Sequence, residues 1–225
     1  MEFRRVLCVC AHPDDEALGC GGTLARLAAE GAEVHLLFMA DGVNARSGAP
    51  ASSLEKRRAM ALQAAEVLGA RAPTFLDFPD NRMDGVELLD VVSEIERCAA
   101  SLAPDVVFTH FTGDLNVDHR ICAQAVLTAF RPLPGGAVRA IYGFEVPSST
   151  EWAFGAAGSS FSPHAFFDIS DHLAVKLAAL DAYAKEMRPF PHPRSREAVE
   201  ALARWRGATM GVAAAEAFSL LRSIR

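Results

Sequence analysis

Val6-Leu-Cys-Val-Cys10, followed without a break by Ala11-His12-Pro13-Asp14-Asp15-Glu16, is the stretch on which the reading of this chain turns. Five apolar residues in a row suit a strand covered on both faces, as in a parallel sheet. The rest of the chain agrees. Leu18, Leu24, Leu27 and Ala28 fall at helical spacing before Gly31, and Val34 to Met39 reads as a second strand. A polar loop from Asp41 to Ser53 leads to a helix over Leu54–Leu68, stopped by Gly69. Phe75-Leu76 is a short strand, Asp77 to Gly85 a loop, and Val86 to Leu102 a helix ended before Pro104. Asp105 to His110 is a strand, Asp118 to Phe130 a helix and Val138 to Phe144 a further strand. Strands alternating with helices across short connections argue for a parallel α/β sheet with helices on both faces.

Beyond this core, Pro147 to Pro163 is irregular and reads as a mobile loop over the site, since too little chain follows for a second domain. A strand at Ala165–Ile169, a helix from Asp171 to Glu186, the kinked Arg188-Pro-Phe-Pro-His-Pro193 and a last helix from Arg196 to about Arg206 complete a single domain over residues 1–225.

Composition excludes several classes. The 225 residues are 51% hydrophobic and 22% charged, with net charge −6, which suits one sizeable core and not a disordered chain or a fibre. A mildly acidic chain without a basic run is a poor nucleic-acid binder. No apolar run approaches the roughly 18 residues of a membrane span. Met1-Glu-Phe-Arg-Arg5 runs straight into a short strand without a signal-like apolar region, so a cytoplasmic protein is expected. The five cysteines, 8, 10, 20, 98 and 122, include no CxxC and read as free thiols of a reducing compartment.

Ligands of open α/β sheets gather at the carboxyl ends of the strands. There His12, Asp14, Asp15 and Glu16 would be costly if buried without partners. Pro13 enforces an extended turn, so the acids are expected to splay instead of forming a helical face. A divalent metal would offset the repulsion; zinc takes His nitrogen and Asp oxygen, and a catalytic site uses three such ligands. Gly19-Cys-Gly-Gly22 before a helix invites comparison with a phosphate loop, but three carboxylates just ahead of it would repel phosphate. Capping of helix one by acids explains Glu16 and leaves His12 unexplained. A third ligand is expected from another strand end, where Asp105–His110 leads to Asp118-His119; His119 is favoured, and His110 suits a packed imidazole beneath the site.

His12-Pro-Asp-Asp-Glu16 after a first strand, joined to a later Asp118-His119, resembles the LmbE/PIG-L family of zinc-dependent de-N-acetylases over about residues 5–145. The closing Ala215-Glu-Ala-Phe218 resembles a bacterial subgroup of it. The resemblance implies a Rossmann-like domain, a metal held by His12, Asp15 and His119, Asp14 as general base and Arg57 as a substrate contact. It implies hydrolysis of an N-acetylated amino sugar or conjugate by a water made acidic at Zn2+, a place that Fe(II) also accepts. The chain departs from the family where many members have His-Pro-Asp-His: it has Asn116-Val117-Asp118-His119, and Asn116 binds by hydrogen bonding without delivering a proton. Asp14 then shuttles the proton both ways or another imidazole enters, and His192 between two prolines is the candidate. Asp118 is expected to orient its neighbours or meet substrate. Asp41-Gly42, Asp80-Asn81 and Glu145 lie at strand exits where sugar hydroxyls could bind, His172 reads as a helix cap and His35 as buried in a strand. The expected partner is a small N-acetylated sugar, with neither nucleic acid nor a membrane span, and a homo-oligomer is compatible with the chain. The rival functions are a zinc amidase for a larger acyl or thiol conjugate and a metal-containing sugar-binding protein without turnover.

Overall fold

A computed structural model describes residues 3–43, 52–155 and 160–224. Expectations that fall on 1–2, 44–51 and 156–159, within the chain start and the two long loops, lie outside the described residues. Among the described residues, seven strands form one sheet in the order β3-β2-β1-β4-β5-β7-β6. These are β1 (Arg5–Cys10), β2 (Glu33–Ala40), β3 (Thr74–Phe78), β4 (Val106–His110), β5 (Ala140–Phe144), β6 (Ala165–Asp168) and β7 (Ala215–Ser223). The first five pair in parallel; β7 runs antiparallel to both β5 and β6. The chain moves outward from β1 on one side through β2 and β3, then returns to lay β4 on its other side. That reversal opens a crevice at the carboxyl ends of β1 and β4.

The helices are α1 (Asp15–Ala29), α2 (Ser52–Leu68), α3 (Leu88–Ala99), α4 (Val117–Ala129), α5 (Leu173–Ala182) and α6 (Arg196–Ala208). Side chains of a strand alternate between faces, and β1 shows what this does. Val6, Cys8 and Cys10 enter a core with α1, α2, α5 and α6, while Leu7, Val9 and Ala11 enter a second core with α3 and α4. Helix α3 buries Val91, Val92, Ile95 and Ala99 along one stripe against that second core. Truncating Ile95 to Ala at such a position costs about 2–5 kcal/mol. All five cysteines are free, and Cys98 alone of them is not buried.

Four expectations need correction. Helix α1 begins at Asp15, so Asp15 and Glu16 lie in its first turn and do not splay in an extended turn. The reason is Asp14, whose φ of 106° and ψ of −25° reverse the chain within one residue after Pro13. Strand β7 follows the last expected helix and was not expected; Glu216, its second residue, is buried along with Ala215, Ala217 and Phe218. His35 keeps 30% of its side chain exposed beside Glu33 instead of being buried. His172 precedes α5 without a side-chain capping bond.

Candidate metal centre

The turn from β1 into α1 places its acids by backbone bonds. The Asp14 N–H donates to Glu16 Oε2 at 3.0 Å, and the Tyr183 hydroxyl donates to Glu16 Oε1 at 2.7 Å. Burial pushes the Glu16 carboxyl up to about 8, against the pull of the Tyr183 hydrogen bond. Asp15 is fully buried; its Oδ2 accepts the His12 N–H at 2.8 Å and its Oδ1 has no hydrogen-bond partner. Leaving such an oxygen dry and unpaired costs several kcal/mol unless a cation meets it.

Two imidazoles complete the group. His12 Nε2 lies 3.0 Å from Asp118 Oδ2 and 3.2 Å from Asp80 Oδ1. His119 Nδ1 lies 3.1 Å from Asp114 Oδ1. An Nε2–H on His12 directed at Asp118 leaves the lone pair on Nδ1. The Asp114 carboxylate beside His119 Nδ1, although too poorly aligned for a hydrogen bond, favours the proton there and the lone pair on Nε2. Those opposite nitrogens converge on Asp15: His12 Nδ1 is 3.6 Å from Oδ2, and His119 Nε2 is 3.4 Å from Oδ1. Zinc holds such N and O ligands at about 2.0–2.2 Å, which sets them roughly 3–3.5 Å apart around one ion. One ligand atom from each of His12, Asp15 and His119 lies within 4.8 Å of the others, so these residues fit a divalent metal.

A second grouping, His12 with Asp80 and Asp118, shares the same ring. Asp118 Oδ1 accepts the Met83 N–H at 3.0 Å and Oδ2 accepts the Asn81 N–H at 2.6 Å. Its oxygens are taken up, which makes it an acceptor that steers His12. Burial works against a charged His12 ring, but Asp118, Asp15 and Asp80 outweigh it and hold its pKa well above the ordinary value. For Asp15 burial is outweighed in the opposite direction, by His119, His110 and His12, and its carboxyl is held well below the usual range.

Asp14 stands beside this group and is 3% exposed. Both Arg194 Nη1, at 3.1 Å, and Arg57 Nη1, at 3.5 Å, approach its Oδ2. Burial nonetheless leaves the Asp14 carboxyl raised, with Arg194 and Arg57 opposing it. Arg57 also reaches Gly42 O at 3.2 Å and Glu186 Oε2 at 3.3 Å. Arg194 is anchored through Nε to Ser148 Oγ at 2.8 Å.

Sequence reasoning missed Arg194 and Asp114. Arg194 follows the proline-flanked His192, and that histidine drew the attention. The His192 Nδ1 accepts the Arg194 N–H at 3.0 Å, and its ring meets the edge of Trp152 at 5.7 Å. Asp114 accepts the hydroxyls of Ser149 and Thr150 and the Asn116 N–H at 2.9 Å. Burial opposes its charge, but His119, Ser149 and Thr150 hold its carboxyl down to about 2. The signal available was only a second acid beside Asp118 in Asp114-Leu-Asn-Val-Asp118, five residues before His119.

The remaining expected residues divide. His110 Nε2 accepts the Ala11 N–H at 2.8 Å, and its ring stacks on His119 at 3.9 Å. Burial pushes His110 down to about 3, as a packed imidazole would be. Asn116 caps α4, accepting the Asp118 N–H at 2.8 Å and donating to Asn81 Oδ1 at 2.9 Å. Glu145 is no sugar ligand at this crevice, because Arg206 grips both its oxygens at 2.9 and 2.8 Å. Asp41 turns back on the Val43 N–H at 2.8 Å. A cavity of about 170 Å³ is lined by His12, Asp14, Asp80, Asn116, His119 and Arg194, among others.

Known proteins resemble this chain in sequence and in fold. The PIG-L family, described as GlcNAc-PI de-N-acetylase, matches residues 7–130. An uncharacterized deacetylase of Escherichia coli, YaiS, is 34% identical over 78% of this chain and 88% of its own. The diacetylchitobiose deacetylase of Thermococcus kodakarensis is 29% identical over 82% of this chain and 71% of its own. Among solved structures, the conserved protein TT1542 of Thermus thermophilus superposes with a TM-score of 0.78 at 26% identity, covering 99% of this chain and 96% of that one.

Proposed function

The chain belongs to the PIG-L family, and on that premise we propose that it hydrolyses the N-acetyl group of an amino sugar or amino-sugar conjugate. The observation that carries this reading is the convergence of two carboxylate-steered imidazoles on Asp15, with Asp14 alongside. His12, Asp15 and His119 would hold the metal, with zinc the ion that suits two nitrogens and one oxygen. When bound, such an ion acidifies a water and polarises an amide carbonyl.

Asp14 is the base. With Oδ2 turned to Arg57 and Arg194, Oδ1 is the oxygen left to accept the water's proton. The two arginines fix the carboxylate's rotation and hold it beside the metal ligands. Asn116 cannot supply a proton to the departing amine. Asp14 therefore returns the proton it took, and His192 holds the loop that presents Arg194. Asp80, Asn81 and Asn116 line the cavity, where their polar groups suit sugar hydroxyls. An N-acetylated disaccharide, as the Thermococcus relative's name indicates for that protein, is one member of the substrate class.

The test is acetate release from a panel of N-acetylated amino sugars and their conjugates, across pH, by the wild type and His192→Gln. Acetate from the sugars and an unchanged alkaline limb in the variant are expected. Release from larger acyl or thiol conjugates alone would make the protein an amidase for those conjugates, within the same reaction class. No release from any compound, with tight sugar binding, would make it a binding protein. Loss of the alkaline limb in His192→Gln would transfer the proton to His192.

A further inference from the structure

Helix α1 is broken five residues after the candidate ligand Asp15. Cys20 has φ −144° and ψ 17°, outside the helical region, between Gly19 and Gly21-Gly22. A regular helix would pair the Gly22 N–H with the Leu18 carbonyl and the Thr23 N–H with that of Gly19. Here the Gly22 and Thr23 N–H groups donate to the two oxygens of Glu216, at 3.0 and 2.7 Å. On the other side of the break, Lys176 Nζ donates to the Ala17 and Leu18 carbonyls at 3.0 and 2.8 Å. The two side chains meet each other at 2.5 Å, and only 3% of Lys176 and 4% of Glu216 is exposed.

The pair thus occupies the break in the ladder. Glu216 caps the amino end of the second helical segment, and Lys176 caps the carboxyl end of the first turn. The glycines let that turn press inward: a Cβ on Gly19 would stand 2.3 Å from the Phe144 ring, and one on Gly22 would stand 2.7 Å from Ile169 Cδ1. Nothing in the proposed chemistry uses either charge. Isolated, a buried Lys–Glu pair is a weak source of stability, so four bonds to backbone groups on one kink call for another account.

We infer that Lys176 and Glu216 are positioning residues, a staple from α5 and β7 that sets the direction of the Asp15–Gly19 turn and so presents the Asp15 carboxylate to the metal. This rests on the reading of Asp15 as a ligand. It absorbs the Ala215-Glu-Ala-Phe218 motif, which the crevice itself leaves without a role. The first turn carries Asp15 and Glu16 and follows Asp14, so a small rotation at Cys20 moves base and ligand together.

The test measures zinc affinity by competition with a chromogenic chelator, for the wild type, Lys176→Met, Glu216→Gln and the double variant, with melting temperatures alongside. Both single variants should bind zinc about ten- to a hundredfold more weakly, the usual loss when a ligand's support is removed. The double variant should regain melting temperature, because no unpaired charge stays buried, yet not zinc affinity. Wild-type affinity in any folded variant that melts lower would overturn the inference and leave a purely structural pair. A measurement on the unaltered protein covers variants that fail to fold: by reciprocity, zinc should slow hydrogen exchange of the Gly22 and Thr23 amides more than of amides in α6. Equal slowing in both places would also overturn it. Failure of the ligand reading is distinguished by Asp15→Ala, whose stoichiometric zinc binding would remove the premise while leaving the staple's bonds as they are.

Discussion

At the amino ends of the parallel strands, charges stand in water: Arg71 is 67% exposed and pairs with Glu33, itself 42% exposed, at 3.2 Å. At the carboxyl ends of the same strands, His12, Asp14, Asp15, Glu16, Asp118 and His119 are all buried. The amino end has the larger hollow, about 410 Å³ lined by Arg5, Glu33, His35 and Cys98 among others, against about 170 Å³ at the carboxyl end. Size does not mark the site. What marks it is charge kept dry at a cost that a stable fold avoids unless a cation or substrate offsets it. A salt bridge in water contributes at most about 1 kcal/mol, so the amino end could lose its charges with little effect.

The contrast can be broken in four places. Asp15→Ala or His119→Ala should abolish stoichiometric zinc binding and nearly all turnover, with a folded circular dichroism spectrum; full zinc occupancy in either variant would remove that residue from the ligand set. Asp14→Asn should keep its zinc yet lose about two to four orders of magnitude in turnover, the worth of a positioned base. Loss of zinc along with activity would make Asp14 a ligand instead.

Asp114→Asn is intermediate. It frees His119 from its carboxylate and should weaken zinc binding about ten- to a hundredfold, read by chelator competition. The metal-free protein adds a pH signature. Held down to about 2 in the fold, against an ordinary 3.8, the Asp114 carboxylate contributes stability that is full above about pH 4 and fades as pH falls toward 2. The variant should therefore lose about 2 kcal/mol at neutral pH and unfold with a shallower acid limb. An acid limb identical to the wild type's would disprove the pairing. The smallest effect belongs to Arg71→Ala at the opposite end, expected to change stability by no more than about 0.5 kcal/mol and to leave zinc affinity and turnover alone. A loss of turnover there would erase the distinction between the two ends.

Much of this was legible in the chain. Val6–Cys10 announced a strand buried on both faces, and His12-Pro-Asp-Asp-Glu16 announced charge that needed a partner. Both signals are local: a run of apolar residues or a cluster of acids reads the same wherever the chain later goes. The missing parts depend on long-range pairing. Arg194 reaches Asp14 across 180 residues, and Glu216 reaches Gly22 across 194. No periodicity encodes such pairs. The charge of Glu216, near the start of β7, fits a buried strand only once Lys176 and two backbone N–H groups are found around it. Arg194 was passed over for its neighbour His192 for a similar reason: rigid prolines locate a loop, and only the fold decides which of its side chains reaches Asp14.

Strand β7 follows β6 in the chain but lies inside it in the sheet, between β5 and β6. During synthesis, β6 with Phe166 and Phe167 leaves the ribosome before the strand it must pair with exists. The nascent chain therefore carries an open sheet edge at β5 and an unpaired apolar strand until residues 215–223 emerge, and the bonds from Glu216 to α1 cannot form before that moment. Exposed edges of this kind invite pairing with other chains. Until β7 pairs, the helical segment that follows the Asp15 turn also lacks the Glu216 bonds that cap it.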